Sequence, residues 1–158
     1  MKSRRRPRRT TRNAFRTRAV PSLPPGMRPG LTASIEREIP FEWTIRHFNV
    51  ALPPVFSTPA MIGMMEVAAA QAVQASLAPG TITVGTRIEV DHLKAVPAGA
   101  WVTASAKLEK IDGRFLAFAV EAVSNGQLIG RGRVFRAIIE PKSFTEKAAD
   151  RAKRKSSP

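Results

Sequence analysis

The stretch Ser57-Thr58-Pro59-Ala60-Met61-Ile62-Gly63-Met64-Met65-Glu66-Val67-Ala68-Ala69-Ala70-Gln71-Ala72-Val73-Gln74-Ala75-Ser76-Leu77-Ala78-Pro79-Gly80 decides how this chain is read. Thr58 is a good N-cap, and Pro59 suits the first helical position, where its missing N–H costs nothing. Pro79-Gly80 stops the run, which predicts a helix of about twenty residues, roughly 30 Å long. Apolar residues occupy most of its circumference, the mark of a buried helix and not of an amphipathic surface one. Glu66 stands in its middle, the one formally charged residue between Arg46 and Arg87. A lone buried carboxylate is costly unless paired, and desolvation favours its protonated form.

On the C-terminal side of this helix the period changes from helical to two. In Ile82, Val84, Thr86, Ile88, Val90 and His92 the even positions form one largely apolar face, while Arg87, Glu89 and Asp91 form a polar one. Val96-Pro97-Ala98-Gly99 breaks the strand. Ala100–Ile111 is the next strand, closed by a turn at Asp112-Gly113; Arg114–Val123 follows, and Asn125-Gly126 is a strong hairpin signal. Gln127–Ile139 is the last strand before Pro141. On the N-terminal side, Ala33–Ile39 and Phe41–His47 read as one or two strands interrupted at Pro40, and Asn49–Phe56, with Pro53-Pro54, reads as a loop. One long buried helix followed by a four-strand meander gives an α+β fold, an antiparallel sheet curled around a single helix.

A chain of 158 residues makes one domain with a real core. It has no cysteine, so neither disulfides nor thiolate chemistry, which fits a reducing, cytoplasmic setting. No apolar run approaches the roughly 20 residues that span a bilayer. The net charge of +14 resembles a nucleic-acid binder until it is divided. Residues 1–19 carry nine Lys/Arg and no acid, and residues 142–158 carry six Lys/Arg and two acids. The segment between holds eleven Lys/Arg against ten acids, so the domain itself is nearly neutral and no specific nucleic-acid partner is expected.

The organisation expected is therefore a disordered basic extension over 1–29, one domain over 30–144 and a basic tail over 145–158, a fraying helix end. The extension has some likeness to a mitochondrial transit peptide, but Pro7 and Arg4-Arg5-Arg6 spoil the amphipathic helix such a peptide needs. A dispensable or mis-started bacterial extension and a nonspecific polyanion contact are the other readings.

The residues resemble a known family. Val55-Phe56-Ser57-Thr58, Gly63-Met64-Met65-Glu66 and Gly85-Thr86 with His92 are similar to the motifs of the fluoroacetyl-CoA thioesterase group of hot-dog-fold acyl-CoA thioesterases. In that group a Thr, a Glu eight residues later and a His twenty-six beyond the Glu form the catalytic set; here Thr58, Glu66 and His92 hold those positions without a gap. The likeness runs from about Ile45 to Phe144. It departs at the loop Phe48–Pro54, which lacks the phenylalanines of that group's substrate lid and looks shorter. The resemblance thus implies thioester hydrolysis without fluoroacetate specificity, with no cofactor, since CoA is part of the substrate.

Each candidate also has a structural explanation. Glu66 is either a buried acid tied to backbone or to an Arg of the last strand, or the catalyst, as nucleophile or as a base activating water. His92 is either a satisfied core histidine or the group that protonates the leaving thiolate. Thr58 is fully explained as a helix cap; with the resemblance it also positions the carbonyl or carboxylate, beside helix N–H groups suited to an oxyanion. Gly63 inside a helix costs roughly 1 kcal/mol against Ala, which points to close packing or close substrate approach; Gly85 is the second glycine of the motif. For the CoA phosphates the candidates are Arg131 and Arg133, with Arg87 and Lys94 behind them. Trp43 and Trp101 are core or interface aromatics. His47 and His92 lack metal-ligand spacing, so no metal is expected.

Eight helical residues separate Thr58 from Glu66 by about 12 Å along the axis, too far to meet across a small substrate. The site is therefore expected to combine two chains, in a homodimer or a dimer of dimers. The sequence leaves three classes: small-acyl-CoA hydrolase, a thioester-binding or hydratase-type hot-dog protein, and a polyanion binder acting through the tails.

Overall fold

A computed structural model describes residues 25–154. The readings of the basic tails fall mostly on 1–24 and 155–158, outside the described residues. Met27, assigned above to the extension, is buried in the core, so the folded unit starts earlier than residue 30.

The chain runs β1 (Thr32–Glu38), a 3-10 turn (Phe41–Trp43), α1 (Ile45–Phe48), α2 (Thr58–Gln74), β2 (Ile82–His92), β3 (Trp101–Asp112), β4 (Phe115–Ser124), β5 (Gln127–Ile139) and α3 (Pro141–Arg154). All five strands form one sheet in the order β1-β3-β4-β5-β2, antiparallel at every pairing. The expected meander holds for β3-β4-β5. It fails for β2, which pairs with β5 at the far edge, so the chain crosses the sheet between β2 and β3. The hairpin turn at Asn125-Gly126 forms as read, with φ of 49° and 70°, the left-handed pair that a two-residue hairpin needs. The turn read at Asp112-Gly113 falls one residue on, at Gly113-Arg114.

The core lies between α2 and the concave face of the sheet. Met61, Met65, Ala68, Ala69 and Val73 of the helix are completely covered, against Val102, Ala104, Leu108, Phe118 and Val134 of the strands. The helix is shorter than expected, 17 residues, and not buried all round. The sheet covers one side, while Pro59, Gly63, Val67 and Gln71 stay exposed on the other. Its N-cap is Ser57, whose buried hydroxyl accepts from the Ala60 N–H at 3.3 Å, and not Thr58. Pro59 consequently sits second in the helix.

Three further readings are corrected. Phe41–His47 is not a strand but a 3-10 turn and one helical turn, with Thr44 buried and Phe41 half exposed. In β2 the inward parity switches at a bulge between Gly85 and Arg87. Thr83 and Gly85 face the helix before it; Ile88, Val90 and His92 do so after it. The tail beyond Pro141 is helix α3, so the boundary placed at 144 falls inside an element. Trp43 packs against the core, while Trp101 is 55% exposed.

The cap assignment separates two neighbouring residues experimentally. Ser57→Ala should cost about 1 kcal/mol in urea unfolding. Thr58→Val should cost within about 0.5 kcal/mol, since it removes no cap. The reverse order would put the cap at Thr58.

Candidate active site

The centre of the site is Glu66, halfway along α2. Its carboxylate reaches the inner face of the sheet where β2 and β5 pair, and Arg136 Nη1 donates to Glu66 Oε1 at 3.0 Å. Arg136 is 7% exposed, the one buried cation among the described residues. Its Nε donates to Thr83 Oγ1 at 2.9 Å and its Nη2 to the Thr83 carbonyl at 2.8 Å. Burial pulls the Arg136 guanidinium below its usual range, and the Glu66 carboxylate beside it pulls the other way. Glu66 is therefore not the lone buried acid of the sequence reading: it is one-third exposed and ion-paired.

Gly85 makes this approach possible. It lies opposite Arg136 in the β2–β5 register, and a Cβ there would stand 2.1 Å from Glu66 Oε1. The carboxylate occupies the space that any side chain at 85 would fill.

The second cluster lies at the N-terminus of the same helix. Thr58, relieved of the capping role by Ser57, has its Oγ1 2.9 Å from His92 Nδ1. His92 ends β2, and Phe56 meets its ring edge-on with centroids 6.3 Å apart. The Thr58 hydroxyl can donate to Nδ1 of the neutral ring or accept from Nδ1–H of the protonated one, and Nε2 is a buried atom with no partner among the described residues. The oxyanion cradle is thinner than the sequence promised. The Ala60 N–H is taken by Ser57 Oγ, the Met61 N–H by the Ser57 carbonyl, and Pro59 has none.

The structure thus joins Thr58 to His92, and Glu66 to Gly85 and Arg136, with no hydrogen bond between the two sets. The remaining candidates lie apart. Gly63 is exposed with open space where its Cβ would be, so it is not a close-packing glycine. Arg131 and Arg133 lie on the outer face of the sheet, away from α2; Arg133 pairs with Glu109 at 3.3 Å, and both Arg share a shallow depression with Glu89, Asp91 and Glu121. Arg87 pairs with Glu89 and stacks over Phe135 on that same face, and Lys94 donates to Gln127. No three His, Cys, Asp or Glu side chains converge as a metal site among the described residues.

The residues that sequence reasoning missed are Arg136 and Thr83. An Arg of the last strand was foreseen as a partner for Glu66, but three Arg stand there. Parity separates them: 136 shares the inward face of Val134, and 131 and 133 do not. Gly85→Ala tests the packing of the carboxylate. The variant should fold and lengthen the Arg136–Glu66 contact in its crystal structure, because the flexible acid yields first; a carboxylate left in place over a bent β2 would contradict this.

Known proteins share the sequence pattern and the fold. A family model described as "FlK: Fluoroacetyl-CoA-specific thioesterase" matches residues 40–142. The fluoroacetyl-CoA thioesterase of Streptantibioticus cattleyicolor is 36% identical over 128 residues, 77% of this chain and 92% of the relative. A solved structure of the fluoroacetyl-CoA thioesterase FlK superposes with a TM-score of 0.73 at 34% identity, covering 84% of this chain and 99% of that one. A hot-dog-like protein from Thermanaerovibrio acidaminovorans, 20% identical with a TM-score of 0.71 over 78% of this chain and 91% of its own, shares the fold. This chain, with its helix-borne glutamate set over the sheet, belongs to the fluoroacetyl-CoA-specific thioesterase family of hot-dog proteins.

Proposed function

We propose that this chain hydrolyses a small acyl-CoA to the free acid and CoA, with Glu66, His92 and Thr58 as the reacting set. The class follows from the family. The residues rest on one observation: a glutamate oxygen fixed by Arg136 while Oε2 has no hydrogen-bond partner among the described residues. An ionised carboxylate held in this way is suited to attack a thioester carbonyl or to take a proton from an attacking water. In either route oxygen from water ends in the acid and a proton ends on the CoA sulfur. His92 supplies that proton from Nε2 as the imidazolium, with Nδ1–H donating to Thr58 Oγ1, and the neutral ring left behind is reprotonated from the proton that water releases in the reaction. The curated relative is named for a two-carbon acyl group, which favours a short acyl chain here.

The two clusters are brought together by a second copy. Gly85 and His92 stand six ladder steps apart on β2, roughly 20 Å. Among the described residues β2 is an edge strand with no strand on its outer side, and α2 beside it keeps an exposed face at Gly63 and Val67. With residue 86 bulged out of the ladder, two β2 edges pairing antiparallel about Glu89 would set Gly85 of one copy opposite His92 of the other. The substrate then lies between Glu66 of one copy and the Thr58–His92 pair of the second. A hydratase would need an acid beside His92, and Asp91 is on the outer face, in register with Arg131.

Thiol release from short, branched and aromatic acyl-CoAs tests the assignment. Glu66→Gln should lower kcat/KM by at least about 10³-fold, and His92→Ala by about 10²–10⁴-fold, with circular dichroism unchanged. No turnover of any thioester by the wild type would leave a binding protein. Equal turnover in Glu66→Gln would make Glu66 structural.

A further inference from the structure

We propose that Thr83 is a positioning residue for thioester hydrolysis: it holds the Arg136 fork, and through it the orientation of Glu66. The inference rests on the reading of Glu66 as the reacting carboxylate. Arg136 is held by Thr83 on the side away from its contact with Glu66. A guanidinium has five N–H groups in a fixed plane, so fixing two of them fixes the direction of the others. In this chain Nε is bound to the Thr83 hydroxyl and Nη2 to the Thr83 carbonyl, which leaves Nη1 aimed at Glu66.

Local structure explains why residue 83 has this role. Gly85 is opposite Arg136 in the ladder and has no side chain, so the Arg136 side chain crosses the backbone of β2 to the diagonal neighbour, Thr83. The bulge between Gly85 and Arg87 keeps Thr83 and Gly85 on the inner face while His92 is also inward further on. Thr83 is 9% exposed, so water is a poor substitute for its hydroxyl. Without that oxygen one N–H of a buried cation loses its acceptor, and the cheapest response is for the guanidinium to turn. Glu66 is on a helix, held from one side only, and turns with it. The hydroxyl touches no substrate, so its loss should appear in the chemical step and not in binding.

The test uses the full chain and a short acyl-CoA, with Glu66→Gln as a control in the same assay. Thr83→Val, which keeps the shape and removes the acceptor, should lower kcat by about 10-fold or more with KM within about twofold. Thr83→Ser, which keeps the oxygen, should restore kcat to within about threefold of wild type. If Thr83→Val does not fold, Thr83→Ala carries the same expectation. In an Arg136→Lys background, where the fork is gone, Thr83→Val should have little further effect, a non-additivity that mere loss of stability would not produce. Wild-type kcat in Thr83→Val, or additive losses with Arg136→Lys, overturns the inference while a collapsed Glu66→Gln leaves the reading of Glu66 standing. Full turnover in Glu66→Gln removes both.

Discussion

The ion pair between Glu66 and Arg136 is the constraint on which the rest of this structure depends. Each partner is hard to place alone. A guanidinium on the inner face of a hot-dog sheet has left water, and a carboxylate in the middle of an Ala- and Met-rich helix lies against an apolar core. Together they satisfy one another, and the geometry around them follows. β2 must have a glycine where the carboxylate passes, β5 must present position 136 inward, and α2 must lie with Glu66 over that crossing. The more deeply buried partner is Arg136, so the pair serves the arginine's solvation as much as the glutamate's reactivity. Buried pairs are weak evidence for added stability, and an uncommitted second oxygen on Glu66 is better explained by chemistry than by folding.

The same elements carry both clusters. α2 bears Thr58 and Glu66, and β2 bears His92 and the Gly85–Thr83 segment. Within one chain, helix and strand hold the clusters apart, at the helix N-terminus and two turns further on. Ser57 matters here in an unobtrusive way. By capping α2 it leaves the Thr58 hydroxyl free for His92, so a one-residue shift in the cap turns a structural threonine into a candidate site residue. The unpaired edge of β2 and the uncovered face of α2 are the surfaces by which a second copy would bring the clusters together.

Much of this was legible in the sequence, and the failures have definite causes. Composition and breakers revealed the long helix, and alternation with two turn signals revealed β3, β4 and β5 within a residue or so. Phe41–His47 alternates as well as any strand, yet short-range backbone hydrogen bonds after Pro40 curl it, and the buried member is Thr44. The face of β2 was right for Ile88, Val90 and His92 and inverted for Ile82 and Val84, because a bulge is one residue that no alternation count detects. Spacing singled out Thr58, Glu66 and His92. Arg136 could have been singled out by its parity with Val134, whereas Thr83 was not legible, because its meaning comes from a cross-strand register between segments 53 residues apart in the chain.

The central claim is that the reacting set is divided between two copies of the chain, and mixing two inactive variants tests it most directly. Glu66→Gln and His92→Ala copies are to be co-expressed with different tags, the mixed species purified through both tags, and thioester turnover measured against each parent. If Glu66 of one copy works with His92 of the other, a mixed pair contains one intact site and should recover about half of wild-type activity. Recovery no greater than that of the parents, in mixed pairs shown to be assembled, would mean that each site lies within one chain and would contradict this account.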